Sequence, residues 1–135
     1  MYGSKIGLIH KEADAAKALI DQGADIIMQH TDSAAAMTIA EEQGIYAFGQ
    51  ASDMIQFGPN AQLTAIIDDW APYYVERTQA LIDKTWESKI HGVVCQLEGF
   101  KLADISDDVP KVFVNLVNEA QEGILTGEFI LSQDQ

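Results

Sequence analysis

Short apolar runs alternate with longer amphipathic segments along the chain, and this alternation predicts the order of its elements. Each apolar run has the length of a buried strand, and each longer segment carries apolar residues at helical spacing. The runs predict strands at residues 5–9, 24–29, 45–49, 63–67, 91–97 and 100–105. The amphipathic segments predict helices at about residues 11–22, 32–43, 72–84 and 108–127.

The resulting order, β-α-β-α-β-β-α-β-β-α, is typical of α/β proteins in which helices cover both faces of a mostly parallel sheet. A chain of 135 residues fits one domain, and no repeat or linker divides it. We therefore predict a single three-layer α/β/α domain over residues 1–135. Phe48, near the end of the third apolar run, is expected in its core.

Residues at the segment boundaries predict where helices begin and end. Gly44 follows the second helical segment, at the position where helices commonly stop in a left-handed conformation. Thr31 or Asp32 is placed to cap the start of that helix. Pro72 fits the first turn of the third helix, with Asp69 near its cap.

Polar clusters follow three of the predicted strands, at residues 30–33, 50–53 and 68–70. In open α/β sheets ligands bind beyond the carboxyl ends of the strands, so these clusters are the candidate binding residues. The first cluster opens a helix, where free backbone N–H groups favour an anion or a hydrogen-bonding ligand. The same residue types also serve as ordinary helix caps, and both roles can hold together.

The other two clusters have the chemistry of a site for a planar ligand. Gln50 and Asp53 can hydrogen-bond a base edge or sugar hydroxyls, although each is also an ordinary loop residue. Asp68, Asp69 and Trp70 can combine hydrogen bonds with stacking. The alternative is that one aspartate caps the next helix and the tryptophan covers the edge of the core.

Composition excludes several classes of partner. The net charge of -13 and the pI of about 4.3 argue against nucleic acid and against an anionic membrane surface. No apolar stretch reaches the length of about 20 residues that spans a membrane, so no membrane insertion is expected. We find no signal peptide, so the chain as given is expected to be cytoplasmic.

Signals of enzymatic chemistry are weak. The sequence contains no P-loop, no dinucleotide-binding glycine motif and no metal-ligand spacing of cysteine or histidine. A proton-transfer or metal site of His30, Asp32 and Asp53 has no specific support from their spacing. Cys95 lies in an apolar run and is expected to be a buried, inert thiol. We therefore expect no enzyme, no cofactor and no metal.

Several motifs follow one another along the chain, within a match that runs from about residue 11 to about residue 129, nearly the whole chain. They are GADIIMQHTDS, GIYAFGQASDM, FGP-x-AQLTAIIDDW-x-PYY, TW and KLADIS. In order and spacing they resemble the basic membrane protein family of solute-binding proteins. That family includes purine nucleoside receptors, which deliver their ligands to ABC transporters.

The resemblance implies a lobe of a type I periplasmic binding protein, with a flavodoxin-like sheet. Members of the family have two lobes, bind the ligand in the cleft between them and do no chemistry on it. The chain resembles the second lobe alone, and it lacks the aromatic loop that the family usually has before Lys11. A complete receptor would be periplasmic or lipid-anchored.

Carried over by position, the resemblance implies seven ligand-binding residues in this lobe. They are His30, Thr31, Gly49, Gln50, Asp53, Asp69 and Trp70. Many nucleoside-binding members have an aspartate where this chain has Gln50, which favours a nucleobase such as adenine over a nucleoside. Trp70 is the implied stacking face.

The expected function is reversible capture of a purine nucleobase or nucleoside for ABC-type uptake, weak in a lone lobe because a full pocket buries most of a ligand's surface. One alternative is a stand-alone interaction domain that has lost ligand binding and self-associates, most simply as a homodimer, through the face a first lobe would cover. A second alternative is an enzyme that uses carboxylates at the strand ends.

Overall fold

A computed structural model describes residues 4–31, 33–88, 99–126 and 128, with side chains from Ile9 onward. Eight elements follow one another in these ranges. They are α1 (Ser4–Asp21), β1 (Ile26–Met28), α2 (Ala35–Gln43), β2 (Tyr46–Gly49), β3 (Gln62–Asp68), α3 (Ala71–Ile82), β4 (Phe100–Leu102) and α4 (Lys111–Thr126).

Some predicted features fall outside the described residues. These are the cap at Asp32, the strand at 91–97 with Cys95, and the helix end at residue 127.

The strand predicted at residues 5–9 is wrong, because this segment is the first part of helix α1. A five-residue apolar run does not by itself distinguish a strand from a buried helix segment. A change from strand to helix needs a turn, and the sequence between Ile9 and Lys11 leaves no room for one. A continuous helix instead gives the backbone N–H and C=O groups of the segment partners within the helix.

The strands form one mostly parallel sheet with the order β1-β2-β3-β4. β1 pairs with β2 and β2 pairs with β3, both in parallel. The chain that follows β4 returns in the opposite direction along β3. There the N–H of Ala103 donates to the Ala65 carbonyl at 2.8 Å, and the N–H of Ser106 donates to the Leu63 carbonyl at 2.8 Å. The α/β class predicted from the sequence is therefore confirmed.

The chain divides into two compact units. The first comprises Met1–Ile67 and Leu102–Asp108, and the second comprises Asp68–Lys101 and Val109–Gln135.

The core of the first unit lies between helix α2 and one face of strands β1 and β2. Ile27 and its register partner Ala47 are 5% and 1% exposed and face this core. Met37 of α2 is fully buried in it. Met28 lies on the opposite face, where it is 77% exposed beside its register partner Phe48. Phe48 is only half-buried, so the expectation that it is a core residue is wrong by one position in the strand.

Helix α2 ends as predicted but begins differently. Gly44 adopts φ +67°, the left-handed conformation that its missing Cβ permits at a helix end. The N-cap is Ala34, which has no side chain able to cap. Thr31 lies too far before the helix to cap it, and its hydroxyl is engaged within the loop after β1.

The second unit contains helices α3 and α4. Pro72 lies in the first turn of α3, as the sequence predicts. Both helices expose apolar side chains. On α3 these are Tyr74, Val75, Leu81 and Ile82, and on α4 they are Val112, Phe113, Leu116 and Leu125, all more than half exposed.

Candidate functional site

The loops that follow β1 and β2 leave the sheet side by side. The two strands are parallel, and Met28 at the end of β1 pairs with Phe48 near the end of β2. The residues after each strand therefore emerge at the same edge of the sheet. This edge of the first unit carries five of the seven predicted ligand-binding residues.

In the loop after β1, His30 is exposed and Thr31 is half-buried. The Thr31 hydroxyl lies 3.2 Å from the Ser33 carbonyl and 3.5 Å from Oε1 of Gln29, so its single proton serves one acceptor at a time. Ser33 in turn donates to the Glu12 carboxylate on α1 and accepts the N–H of Ala35 at 3.2 Å. Hydrogen bonds to α1 and α2 thus fix this loop.

Gly49 ends β2 at a point of close approach to β3. A Cβ built on Gly49 would lie 2.6 Å from the Cβ of Ala65 and 3.0 Å from Oε1 of Gln62. Only glycine fits this position without a shift of the neighbouring strand. Packing therefore explains Gly49 independently of any ligand.

The loop after β2 places Gln50 and Asp53. Gln50 is half-buried and makes no side-chain hydrogen bond with the part of the chain that the structure describes, so its amide is available to a ligand. Ala51 turns the loop with φ +62°, a conformation uncommon outside glycine. Asp53 is exposed, and its Oδ1 accepts the Ile55 N–H at 3.0 Å and Nε2 of Gln62 at 2.8 Å. Within the described ranges its Oδ2 has no partner.

Three residues that the sequence analysis did not select hold these loops. Gln62 accepts the Met54 N–H at 3.0 Å in addition to its bond to Asp53. Nε2 of Gln29 donates to the Met54 sulfur at 2.7 Å. A signal was present, because Gln29 and Gln62 are polar residues at the ends of buried apolar runs. Met54 carried no such signal.

The remaining two predicted residues, Asp69 and Trp70, lie in the second unit. Oδ1 of Asp69 accepts the Ala71 N–H at 3.2 Å at the start of α3, and Oδ2 pairs with Nζ of Lys101 at 3.3 Å. Trp70 contacts Tyr73 and Phe100 in edge-to-face geometry, with ring centroids 6.2 and 6.0 Å apart. Trp70 remains 39% exposed. The N-cap of α3 is Trp70, and Asp69, one residue earlier, bonds the first N–H of the helix. Trp70 belongs to an aromatic cluster with part of its surface open.

Two ionisable groups of the first unit have shifted pKa values. Glu41 accepts Nδ2 of Asn60 at 2.6 Å and the N–H groups of Asn60 and Ala61 at 2.9 and 2.8 Å. The side-chain hydrogen bond from Asn60 is the main cause that lowers the pKa of Glu41. The charge of Asp108 raises the pKa of Tyr46, whose hydroxyl donates to that carboxylate at 3.2 Å. The Glu41 bonds fix the segment that leads into β3.

Two negative observations concern the described residues. They contain no group of three or more histidine, cysteine, aspartate or glutamate side chains arranged to hold a metal ion. None of their helices has the length and apolarity needed to cross a membrane.

Comparison with known sequences identifies relatives of the chain. It is 52% identical over 121 residues to a purine-binding protein of Brucella abortus, a match that covers 87% of this chain and 33% of that protein. It is also 39% identical over 75 residues to a Haloferax volcanii protein provisionally named an ABC transporter glucose-binding protein, covering 56% of this chain and 19% of that one. The chain thus spans about a third or less of the length of these relatives.

Comparison with solved structures supports the fold. An ABC transporter solute-binding protein from Conexibacter woesei superposes with a TM-score of 0.63 at 22% identity. The match covers 92% of this chain and 42% of that one.

The family assignment rests on the extent of the sequence match. The model of the PnrA-like substrate-binding proteins of ABC transporters matches residues 9–121, most of the chain. The resemblance seen in the sequence motifs is thereby confirmed, and the chain belongs to the family of PnrA-like ABC transporter substrate-binding proteins.

Proposed function

We propose that this chain is one α/β lobe of a solute-binding protein that captures a purine reversibly for ABC-type uptake and does no chemistry on it. The observation that carries the proposal is the 52% identity over 121 residues to a purine-binding protein. We place the complete receptor in the periplasm or on a lipid anchor.

The side chains at the edge of the first unit have the chemistry that a purine requires. A purine presents hydrogen-bond donors and acceptors along its rim. Gln50 offers both a donor and an acceptor, and Oδ2 of Asp53 offers an acceptor. His30 and Thr31 border the same edge. These groups can recognise the rim of a nucleobase, and we propose adenine over a nucleoside because Gln50 stands where many nucleoside-binding members have an aspartate.

Trp70, which lies in the second unit, stays the stacking residue that we predict. It retains 39% exposure within its aromatic cluster, and its contacts with Tyr73 and Phe100 fix the ring. A ring already fixed loses little conformational freedom when it stacks on a ligand. We propose that Asp69 acts by positioning Trp70 and not by binding the ligand. Its two oxygens are already bonded to the Ala71 N–H at the start of α3 and to Lys101.

Binding by the lone lobe should be weak. Ligand pockets bury about 70–90% of a ligand's surface, and one lobe contacts only one side of the ligand. We expect adenine to bind with a dissociation constant of about 100 μM or weaker. A dissociation constant of this size corresponds to a binding free energy of about -5.5 kcal/mol.

The test is an NMR titration of the chain with adenine, adenosine and glucose. Adenine should shift the amide resonances of Gln50 and Asp53, and Trp70→Ala tests separately whether the stacking residue implied by the resemblance takes part in binding. Trp86→Ala is the matched control, because Trp86 is 47% exposed and outside the proposed site. Absence of shifts with either purine at millimolar concentration contradicts the proposal, and unchanged affinity in Trp70→Ala removes that residue from the site.

Glucose is included because one relative is provisionally named as glucose-binding. Shifts of the same amides by glucose, and not by adenine, would reassign the ligand class while keeping the solute-binding role.

A second candidate function is self-association as a homodimer, with ligand binding lost. The observation that favours it is the exposed apolar surface of the second unit, where Leu116 on α4 and Leu81 on α3 are 55% and 60% exposed. Large exposed apolar patches usually mark interfaces. The net charge of -13 per chain opposes close approach, so added salt should tighten the dimer.

Sedimentation velocity at low and moderate salt tests this alternative. A dimer that tightens with salt and is weakened by Leu116→Lys supports it. Asn118→Lys is the control, since it adds the same charge at an exposed polar position of the same helix. A monomer at both salt concentrations, at about 100 μM protein, contradicts it.

A further inference from the structure

Gln29 and Gln62 are the two buried polar side chains of the part of the chain that the structure describes, at 6% and 4% exposure. Burial of a primary amide costs free energy unless its donors and acceptors are hydrogen-bonded. Both amides are bonded, and both have Met54 as a partner. Each buried amide therefore fixes the position of the groups to which it is bonded.

Gln62 joins the core of the sheet to the loop that carries Asp53. Its Oε1 accepts the Met54 N–H at 3.0 Å, and its Nε2 donates to Oδ1 of Asp53 at 2.8 Å. The two ends of one rigid, planar amide thus hold neighbouring residues of the loop. With Oδ1 also bonded to the Ile55 N–H, the carboxylate is held by two donors on one oxygen, and Oδ2 is left for a ligand.

Gln29 makes the corresponding link to the loop after β1. Its Nε2 donates to the Met54 sulfur at 2.7 Å, and its Oε1 lies 3.5 Å from the hydroxyl of Thr31. Met54 is itself 6% exposed and belongs to the core. Gln29 therefore joins the loop after β1 to the buried Met54 of the loop after β2, and the Met54 N–H is bonded in turn to Gln62 of β3.

We propose that Gln62 and Gln29 are positioning residues of the ligand site, which hold Met54 of the loop after β2 from two sides and aim the Asp53 carboxylate at the ligand. This inference rests on the proposed purine-binding function. Neither glutamine contacts the ligand in this arrangement. Gln62 acts through Asp53, and its role is to keep Oδ2 oriented as an acceptor for an N–H group of the base.

Two substitutions of Gln62 separate its two hydrogen bonds. Gln62→Glu keeps an oxygen for the Met54 N–H but replaces the donor to Asp53 with a second carboxylate oxygen. Gln62→Met has a similar volume and removes both bonds. Gln56→Met is the control, because Gln56 is exposed in the loop that carries Asp53.

The measurements are the adenine dissociation constant and the hydrogen-exchange rate of the Met54 amide. Both Gln62 variants should weaken adenine binding about tenfold or more, as expected for loss of a hydrogen bond that orients a charged group. The Met54 amide should stay protected in Gln62→Glu and exchange faster in Gln62→Met. A merely structural role would not separate the two readouts in this way.

A double-mutant cycle identifies the route of the effect. In an Asp53→Asn background, Gln62→Met should change adenine affinity by less than about twofold, because the residue through which it acts is already altered. Full additivity of the two substitutions overturns the assignment of Gln62 as acting through Asp53. Adenine affinity within about twofold of wild type in both single Gln62 variants overturns the proposal, while purine binding itself stands.

If the wild-type chain binds no purine, the proposed function fails. The hold of Gln62 on Met54 is then tested by the hydrogen-exchange rate of the Met54 amide alone. Faster exchange of this amide in Gln62→Met supports that hold. Unchanged exchange overturns it.

Discussion

Substitution of Gly49 by alanine tests the close approach of β2 and β3 beside the proposed site. Gly49 and Ala65 are register partners, and a Cβ on Gly49 would lie 2.6 Å from the Cβ of Ala65. Ordinary van der Waals contact begins at 3.4 Å, so the two methyl groups must separate by about 0.8 Å. Neither group has a rotatable bond that would let it move aside. The strands themselves have to shift.

The cost can be placed within a range. Overpacking of a well-packed core by one methyl group costs about 1–3 kcal/mol, and we expect a cost in the upper half of that range because relief of the contact requires the strands to shift. For a domain of this size, each 1 kcal/mol lowers the melting temperature by about 3–5 °C. The displaced strand also moves Gln62, whose Oε1 would lie 3.0 Å from the new methyl group. Adenine binding should weaken together with stability.

The assay is urea denaturation followed by far-ultraviolet circular dichroism, with Ala65→Gly as the compensating change. Ala65→Gly alone should cost about 1.5 kcal/mol, from the lost methyl group and the glycine in a strand. It removes the atom that Gly49→Ala would strike, so the double variant should be more stable than the sum of the two single effects by about 1–2 kcal/mol. Additive effects, or a loss below about 0.5 kcal/mol for Gly49→Ala, would refute the packing explanation.

Two further predictions concern the same unit. Met37→Ala should cost about 2–5 kcal/mol in the same denaturation assay because Met37 is fully buried. Met28→Ala should cost less than about 0.5 kcal/mol, because Met28 is 77% exposed. Similar losses of stability in the two variants would contradict the assignment of the buried face. Because hydrogen bonds from Asn60 lower the pKa of Glu41 below its ordinary value of 4.5, the contribution of this carboxylate to stability should be present above that pH and disappear as the pH falls through its folded-state pKa. The difference in melting temperature between wild type and Glu41→Gln should therefore shrink on acidification, and Glu42→Gln, at an exposed position of the same helix, is the control.

The parts of the fold that the sequence predicted correctly are those where several local signals agree. The strands near residues 26–28, 46–49 and 62–68 are apolar runs of strand length with glycine or polar residues at their ends. Gly44 combines a helix end with the conformation that glycine favours. Agreement between periodicity, length and boundary residues left no competing structure.

The errors occurred where one signal stood alone. Residues 5–9 had apolar character without a turn after them, and a helix uses such a run equally well. The apolar run alone predicts Phe48 in the core, but the two-residue period of a strand sends Ala47 inward and Phe48 to the other face. Membership of an apolar run is a weaker guide than phase in a strand whose two faces are unequally covered.

The sequence predicts a candidate site only as far as the edge of the sheet that carries its polar residues. Polar residues after parallel strands gave the location of His30, Gln50 and Asp53. The sequence could not indicate that Asp53 is oriented by Gln62, since that contact joins residues nine positions apart through a loop whose path has no periodicity. Buried polar side chains at strand ends are the signal that would have revealed it.

The way these loops are held has a consequence for how a lone lobe would bind. Hydrogen bonds with Gln62 hold the loop after β2, and hydrogen bonds with helices α1 and α2 hold the loop after β1. All of these partners belong to the same unit as the loops. A loop already ordered by its own domain pays little entropy when a ligand arrives. A second lobe would then raise affinity chiefly by adding contact surface, and not by ordering the loops of this one. The weakness expected of the lone lobe is therefore a deficit of buried area, so binding should have the same relative preference among purines as in a complete receptor, at a lower affinity.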